Sequence, residues 1–202
     1  MNKLLIATNN QGKVLELQGL LNDSGIKFVT PAQINLQLEV EEDGSNYQEN
    51  AGKKAIAFAQ ASGLIALADD SGLEVDALDG APGLYSARYS PKPGAKDADR
   101  RAFLLENLKD KPRPWKAHFH ATIAIAKPNG EVEFAEGNCH GEIIPEERGT
   151  GGFGYDPIFF MPELGKTMAE LEMDEKNRLS HRARAVIAAM PILKRMLLAL
   201  KK

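Results

Sequence analysis

The chain has 202 residues, 43% hydrophobic and 26% charged, which is the composition of a water-soluble globular domain with a substantial core. A formal net charge of −3 excludes a broad basic footprint for duplex nucleic acid, while a local pocket for a small anion stays open. The single cysteine, Cys139, excludes an intramolecular disulfide and a cysteine-built zinc site.

Lys3 followed by Leu4-Leu5-Ile6-Ala7 is too short for a signal peptide and reads as a buried first strand. No run approaches the roughly 20 apolar residues of a membrane span, so a cytoplasmic protein is expected. The polar turn Thr8-Asn9-Asn10-Gln11-Gly12-Lys13 leads into a helix predicted over residues 13–22, with Val14, Leu17 and Leu21 on one face. A strand, a donor-rich turn and a helix N-terminus together suit a phosphate group. A capped loop fits the turn equally well, and it is not a Walker A motif, because Val14 stands where Ser or Thr should follow Gly-Lys.

The acidic run Glu39-Val40-Glu41-Glu42-Asp43 reads in isolation as solvated surface. Ser45 and Gln48 have capping-box spacing, and a helix is predicted over residues 46–62 with Tyr47, Ala51, Ala55 and Phe58 as its apolar stripe. Asn50 and Lys53, three apart, can share a face, although Glu49 and Lys53 can equally form a surface pair. Next, Leu64-Ile65-Ala66-Leu67-Ala68 predicts a short buried strand ending in Asp69-Asp70-Ser71-Gly72. The carboxyl end of a strand is where open α/β sheets place ligand chemistry. Adjacent side chains on a strand point oppositely, so one aspartate can serve a metal or a water while the other braces the structure. The plainer alternative is that Asp, Ser and Gly merely make a turn.

Glu74-Val75-Asp76-Ala77-Leu78 predicts a second short strand, and Asp79-Gly80-Ala81-Pro82-Gly83 a turn. A helix follows over residues 97–109, a strand over 117–126, and a Pro128-Asn129-Gly130 hairpin into strands over 131–137 and 138–144. His118 and His120 alternate onto one face and could bind metal, but lacking a third ligand they read, with His140, as sheet-surface or packing residues. Residues 149–157 are too glycine-rich for a strand and carry Phe153 and Tyr155, rings on which a base can stack. Thr167 and Glu170 form a further capping box. Ser180 caps a last helix running towards Leu200, with Pro191 expected to kink it. Lys176, Arg178, His181 and Arg182 near that helix start oppose the helix dipole, which suggests a function for them.

Six of these motifs, in this order, resemble the Ham1-type inosine/xanthosine triphosphate pyrophosphatase family. They are Thr8-Asn9-Asn10-x-Gly12-Lys13, Glu49-Asn50-Ala51-x-x-Lys54, Ala68-Asp69-Asp70-Ser71-Gly72-Leu73, Leu78-Asp79-Gly80-Ala81-Pro82-Gly83 with Tyr85-Ser86-Ala87-Arg88, residues 149–157, and Ser180-His181-Arg182. The resemblance implies an α/β fold with a long mixed sheet bent between two lobes, flanked by helices, in one two-lobed domain over residues 1–202, and a homodimer. It implies Mg²⁺-dependent hydrolysis of ITP, dITP and XTP to the monophosphate and pyrophosphate. The alternatives are a pyrophosphatase of other modified or standard triphosphates, or a nucleotide-binding regulator without chemistry. Carried over by position, Thr8, Asn9, Asn10, Gln11, Gly12 and Lys13 hold the triphosphate, with Lys53 or its neighbour Lys54 beside them. Asp70 is the proton acceptor, Ser71 lies beside it on the substrate, and Glu42 (or Glu41) joins Asp70 on the metal. Phe153, Gly154, Tyr155, Asp156, Lys176, His181 and Arg182 contact the nucleotide and its base.

Overall fold

The computed structural model describes residues 3–199. Its strands are β1 (Leu4–Ile6), β2 (Phe28–Val29), β3 (Ile65–Val75), β4 (Trp115–Ala126), β5 (Val132–Ile143), β6 (Phe159–Met161) and β7 (Lys166–Thr167). They form one mixed sheet in the order β2-β1-β3-β4-β5-β6-β7, with β1 parallel to β2 and β3, and β6 antiparallel to β5 and β7. The helices are α1 (Gln11–Leu21), α2 (Tyr47–Ser62), α3 (Asp97–Leu108), α4 (Met173–Leu179) and α5 (His181–Ala199). The result is the expected α/β class. Among the described residues, no helix is long and apolar enough to cross a membrane.

The chain divides into two compact units. The first comprises residues up to Asp70, Ala121–Gly137, and the chain from His181 onward; the second comprises Ser71–His120 and Asn138–Ser180. In the first unit the period-2 alternation of the strands builds two cores. Leu4, Ile6, Ile65, Leu67, Ile123 and Ile125 pack with Leu17 and Leu21 of α1 and with Val186, Ala189 and Leu193 of α5. Their strand neighbours Leu5, Ala66, Ala68, Ala124 and Ala126 pack with Ala51, Ala55, Phe58 and Ala59 of α2. Small side chains on this second face let the helix lie close to the sheet. In the second unit, Leu73, Val75, Trp115, Ala117, Phe119, Cys139 and Phe159 bury one sheet face with Leu104 and Leu108 of α3.

Several local expectations need correcting. Asp69-Asp70-Ser71-Gly72 does not end a strand: β3 runs through it without a break from Ile65 to Val75. Likewise β5 is one strand, not two. The cap of α2 is shifted by one residue. Asn46 Oδ1 accepts from the Glu49 amide and Glu49 Oε2 from the Ser45 amide, while Gln48 reaches Glu136 instead. Helix α1 starts earlier than expected, because Asn10 caps it by accepting from the Lys13 amide. Helix α4 was not anticipated, and Ser180 is its C-cap as well as the residue preceding α5. Pro191 lies inside α5, and the expected end near Leu200 falls outside the described residues. The histidines keep to the sheet: His118 Nε2 lies 3.3 Å from Glu74, and His120 Nδ1 2.7 Å from Asn138. Among the described residues no group of three or more His, Cys, Asp or Glu side chains is arranged to hold a metal ion.

Candidate active site

The alternation of β3 decides what each aspartate meets. Asp69 continues the Ile65–Leu67 row, which faces α1 and α5, and Asp70 continues the Ala66–Ala68 row, which faces α2. Asp69 is fully buried, and its Oδ1 lies 2.6 Å from Lys13 Nζ in the first turn of α1. Its Oδ2 accepts from Arg182 Nε at 2.8 Å, at the start of α5. The Arg182 guanidinium, equally buried, also donates through Nη1 to Glu16, one turn along α1 from Lys13. Burial alone pushes the Asp69 carboxyl upward, but the charges and hydrogen bonds of Arg182 and Lys13 outweigh it and hold the group well below the usual carboxylate range. The same surroundings hold Arg182 firmly charged despite its burial. Burial is the main influence on Lys13 and lowers its ammonium from the ordinary value, against the pull of Asp69.

Asp70 has a different environment. Lys54 Nζ lies 3.7 Å from its Oδ1 and 2.7 Å from Glu42 Oε1, so a single ammonium gathers both carboxylates. Asn50, buried on α2, hydrogen-bonds the Asp70 carboxylate and accepts the Gly44 amide at 2.8 Å. Burial raises the Asp70 carboxyl above 3.8, with nearby Glu42 adding to the rise and Lys54, Lys13 and Asn50 opposing it. The Asp69 carbonyl oxygen accepts from both lysines, at 3.3 Å from Lys13 and 2.8 Å from Lys54. Of two adjacent carboxyls, then, one is locked as an anion between cations. The other is raised towards the range useful to a general base.

The profile of the Ham1 family matches residues 4–192. The chain belongs to the Ham1 family. A dITP/XTP pyrophosphatase of Desulforamulus reducens is 51% identical over 195 residues, 96% of either chain. One of Thermus thermophilus is 48% identical over 189 residues, 93% of this chain and 90% of the relative. A HAM1 protein of Coxiella burnetii superposes with a TM-score of 0.86 at 41% identity, covering 96% of this chain and 100% of that one. The Ham1 protein of Staphylococcus aureus gives 0.82 at 38% identity, covering 96% and 98%.

In this Ham1-family chain the first unit brings together Lys13, Lys54, Glu42 and Asp70. The turn before Lys13 is folded on itself: Thr8 Oγ1 accepts the Asn10 amide, and Asn9 Nδ2 donates to the Leu38 carbonyl at 3.3 Å. Gln11 is exposed and Gly12 half-buried, both in the first turn of α1. Lys53 is not part of the cluster. Its ammonium pairs with exposed Asp43 at 2.7 Å, and Lys54 occupies the place expected of it. The reason is helical phase: Lys54 follows Asn50 by four residues on the buried side of α2, whereas Lys53 is rotated about 100° away. Arg182, expected at the base, is engaged by the carboxylates of Glu16 and Asp69 on either side. His181 is buried at the first position of α5.

In the second unit Ser71 is half-buried on β3. Asp156 and Lys176 form a buried pair at 2.7 Å, and Asp156 Oδ2 also accepts the Phe153 amide at 2.9 Å. The Lys176 ammonium lies 5.4 Å from the centre of the half-buried Phe153 ring. Tyr155 offers no stacking face: its ring is in the core, and its hydroxyl donates to the Ser86 carbonyl at 2.9 Å. Burial raises that phenol well above its ordinary range. Glu16 and Asn50 were not read from sequence as parts of the site. The spacing of Lys13 and Glu16, i and i+3 on a helix that buries Leu17, was the available signal for Glu16.

Proposed function

We propose that this Ham1-family chain hydrolyses aberrant purine nucleoside triphosphates, namely ITP, dITP and XTP, to the nucleoside monophosphate and pyrophosphate. The observation that carries the chemistry is the division of labour between Asp69 and Asp70. Asp70, raised by burial and steadied by Asn50, accepts a proton from water. The water oxygen then bonds to the α-phosphorus while the bond from that phosphorus to the α,β-bridging oxygen breaks. The electron pair leaves with pyrophosphate, and Asp70 releases its proton to solvent. Asp69 is unsuited to that role, because its oxygens are engaged by Lys13 and Arg182. Instead it fixes the Lys13 ammonium, and with Lys54 this supplies cationic charge for the phosphates.

Two carboxylates that share one ammonium are hard oxygen donors of the kind Mg²⁺ accepts, and Mg²⁺ needs only one or two of them beside phosphate oxygens and water. Glu42 and Asp70 are the residues we assign to hold it. When bound, the ion neutralises phosphate charge and acidifies the attacking water. For base selection we assign, within the second unit, Phe153 as a platform and Lys176 as a donor to a 6-oxo group. Adenine presents an amino donor there and would leave such a donor unpaired, a mismatch that rejects more strongly than shape does. The names of the D. reducens and T. thermophilus relatives support the same substrate class. We also read the protein as a homodimer, which sedimentation of the purified chain tests.

The deciding assay measures pyrophosphate and orthophosphate separately from ITP, dITP, XTP, ATP, GTP and TTP, with and without Mg²⁺. Pyrophosphate released preferentially from the first three supports the proposal. Equal rates for ITP and ATP, orthophosphate as the product, or tight binding without turnover would each overturn it.

A further inference from the structure

The loop of residues 149–157 is held by a helix that no part of the proposed reaction uses. Both backbone polar groups of Gly154 are taken by α3. The Gly154 amide donates to Asp97 Oδ2 at 2.8 Å, and Arg101 Nη1 donates to the Gly154 carbonyl at 2.8 Å. Asp97 and Arg101 are four apart in the first turns of α3 and so lie on one face. Each is itself braced. Arg100 Nη1 donates to Asp97 Oδ1 at 2.6 Å, and the Arg101 fork meets Glu147 through Nε at 2.8 Å and Nη2 at 2.9 Å. The Arg101 side chain is only 11% exposed. Gly154 has φ +63° with open space where a Cβ would go, so glycine is needed for the backbone angle, and not for room.

These contacts complete a clamp around one side chain. On its upstream side the Phe153 amide is held by Asp156; on its downstream side the Gly154 amide is held by Asp97 and the Gly154 carbonyl by Arg101. Charge-assisted hydrogen bonds are roughly twice as strong as neutral ones, and here three ionisable side chains fix two consecutive amides and one carbonyl. A loop ordered in advance spares binding the entropy of ordering it.

We infer that Asp97 and Arg101 are positioning residues for base recognition, setting the Phe153 ring before substrate arrives. This rests on the assignment of Phe153 as the base platform. The test measures kcat and KM for ITP, inhibition by inorganic tripolyphosphate (the phosphates without a base), and amide hydrogen exchange over residues 149–157. Asp97→Ala and Arg101→Met should each raise KM roughly tenfold, the scale of one lost charge-assisted hydrogen bond, with kcat little changed. Tripolyphosphate inhibition should stay at the wild-type value, and exchange at residues 153–155 should quicken. Asp97→Asn keeps an acceptor for the Gly154 amide and should restore KM. If Asp97→Ala does not fold, Arg101→Lys replaces it, with one donor kept and an intermediate KM expected. Unchanged KM and exchange in folded variants, or parallel weakening of ITP and tripolyphosphate, would overturn the inference. Should the wild-type protein cleave no purine triphosphate, the functional reading fails, and the exchange measurement still decides whether the clamp exists.

Discussion

Asp69→Asn and Asp70→Asn should separate stability from turnover at two adjacent positions. Asn is nearly isosteric with Asp, so the perturbation is the loss of one negative charge. At position 69 that charge lies 2.6 Å from Lys13 and 2.8 Å from Arg182, with the Asp69 side chain fully buried. Its removal takes away the carboxylate that pairs with both Lys13 and Arg182. Uncompensated buried charge of this kind costs about 3–5 kcal/mol. Lys13, whose side chain is 14% exposed, can turn partly towards water, so the lower end, about 3 kcal/mol, is expected. For a chain of this size each kcal/mol moves Tm by about 2–4 °C, giving a fall of about 6–12 °C. The pH dependence has a definite sign. The folded Asp69 carboxyl lies below 3.8, so its stabilisation is complete above 3.8 and is lost as pH falls below that value. The gap between wild type and Asp69→Asn should therefore be constant from pH 5 to 8 and close only in strong acid. Asp70 has the opposite sign. Its folded carboxyl lies above 3.8, so ionisation there opposes folding at neutral pH; the opposition shrinks as pH falls through the folded value and is gone below 3.8. Asp70→Asn should keep or raise Tm at pH 8 while losing at least about 100-fold in kcat. Thermal unfolding across pH, beside pyrophosphate release, reads both. A stable Asp69→Asn, or an Asp70→Asn that melts early and still turns over, would refute the assignment of roles.

Three further outcomes follow from the same geometry. Lys54→Met should lower kcat/KM by about 100-fold, the scale of removing a positioned charge donor. Lys53→Met, which breaks only an exposed pair with Asp43, should leave turnover near wild type; the reverse ranking would restore the assignment made from sequence. EDTA should abolish pyrophosphate release and Mg²⁺ restore it, and Glu42→Gln should raise the Mg²⁺ concentration needed for half-maximal rate; a rate indifferent to EDTA refutes the metal assignment. Gly152→Ala should weaken use of purine triphosphates and lower Tm together. A Cβ there would stand 2.0 Å from Asp156 Oδ2 at a φ of +71°, forcing apart the Asp156–Lys176 pair, and a fully active Gly152→Ala would contradict that packing.

Much of the scaffold was legible because local periodicity and tertiary packing agree in it. Leu17 and Leu21, with buried Val14 beside them, announce α1, and Ala51, Ala55 and Phe58 announce α2, since Leu17 and Leu21 lie in one core and the α2 row in the other. Helix α4 was missed because its cap is a Glu172–Glu175 pair, in place of the Ser, Thr, Asp or Asn that usually marks a helix start. The site was legible as a set of residue types, whereas its connections were not. Lys13 meets Asp69 across 56 positions of sequence and Arg182 meets it across 113, distances over which no periodic pattern carries information. The doubled Lys53-Lys54 needed helical phase to resolve, and Asn50 was the marker to follow, because a polar residue on a buried stripe requires a partner inside.

The misreading of β3 has the most to teach about the site. Asp and Ser disfavour strands because their polar side chains compete with the ladder, and Gly because it has more backbone freedom to lose and no side chain to pack; locally that preference is correct. It is overridden here because each carboxylate finds partners on its own side of the sheet: Lys13 and Arg182 on one, Asn50 and Lys54 on the other. An unbroken strand imposes the opposition of the two side chains, which a flexible turn would not. That opposition is what lets neighbouring carboxyls hold different protonation properties, one spent on fixing cations and the other kept for the water. If the segment were a turn, both aspartates could swing to the same cations, and Asp70 would lose the raised value that suits a base.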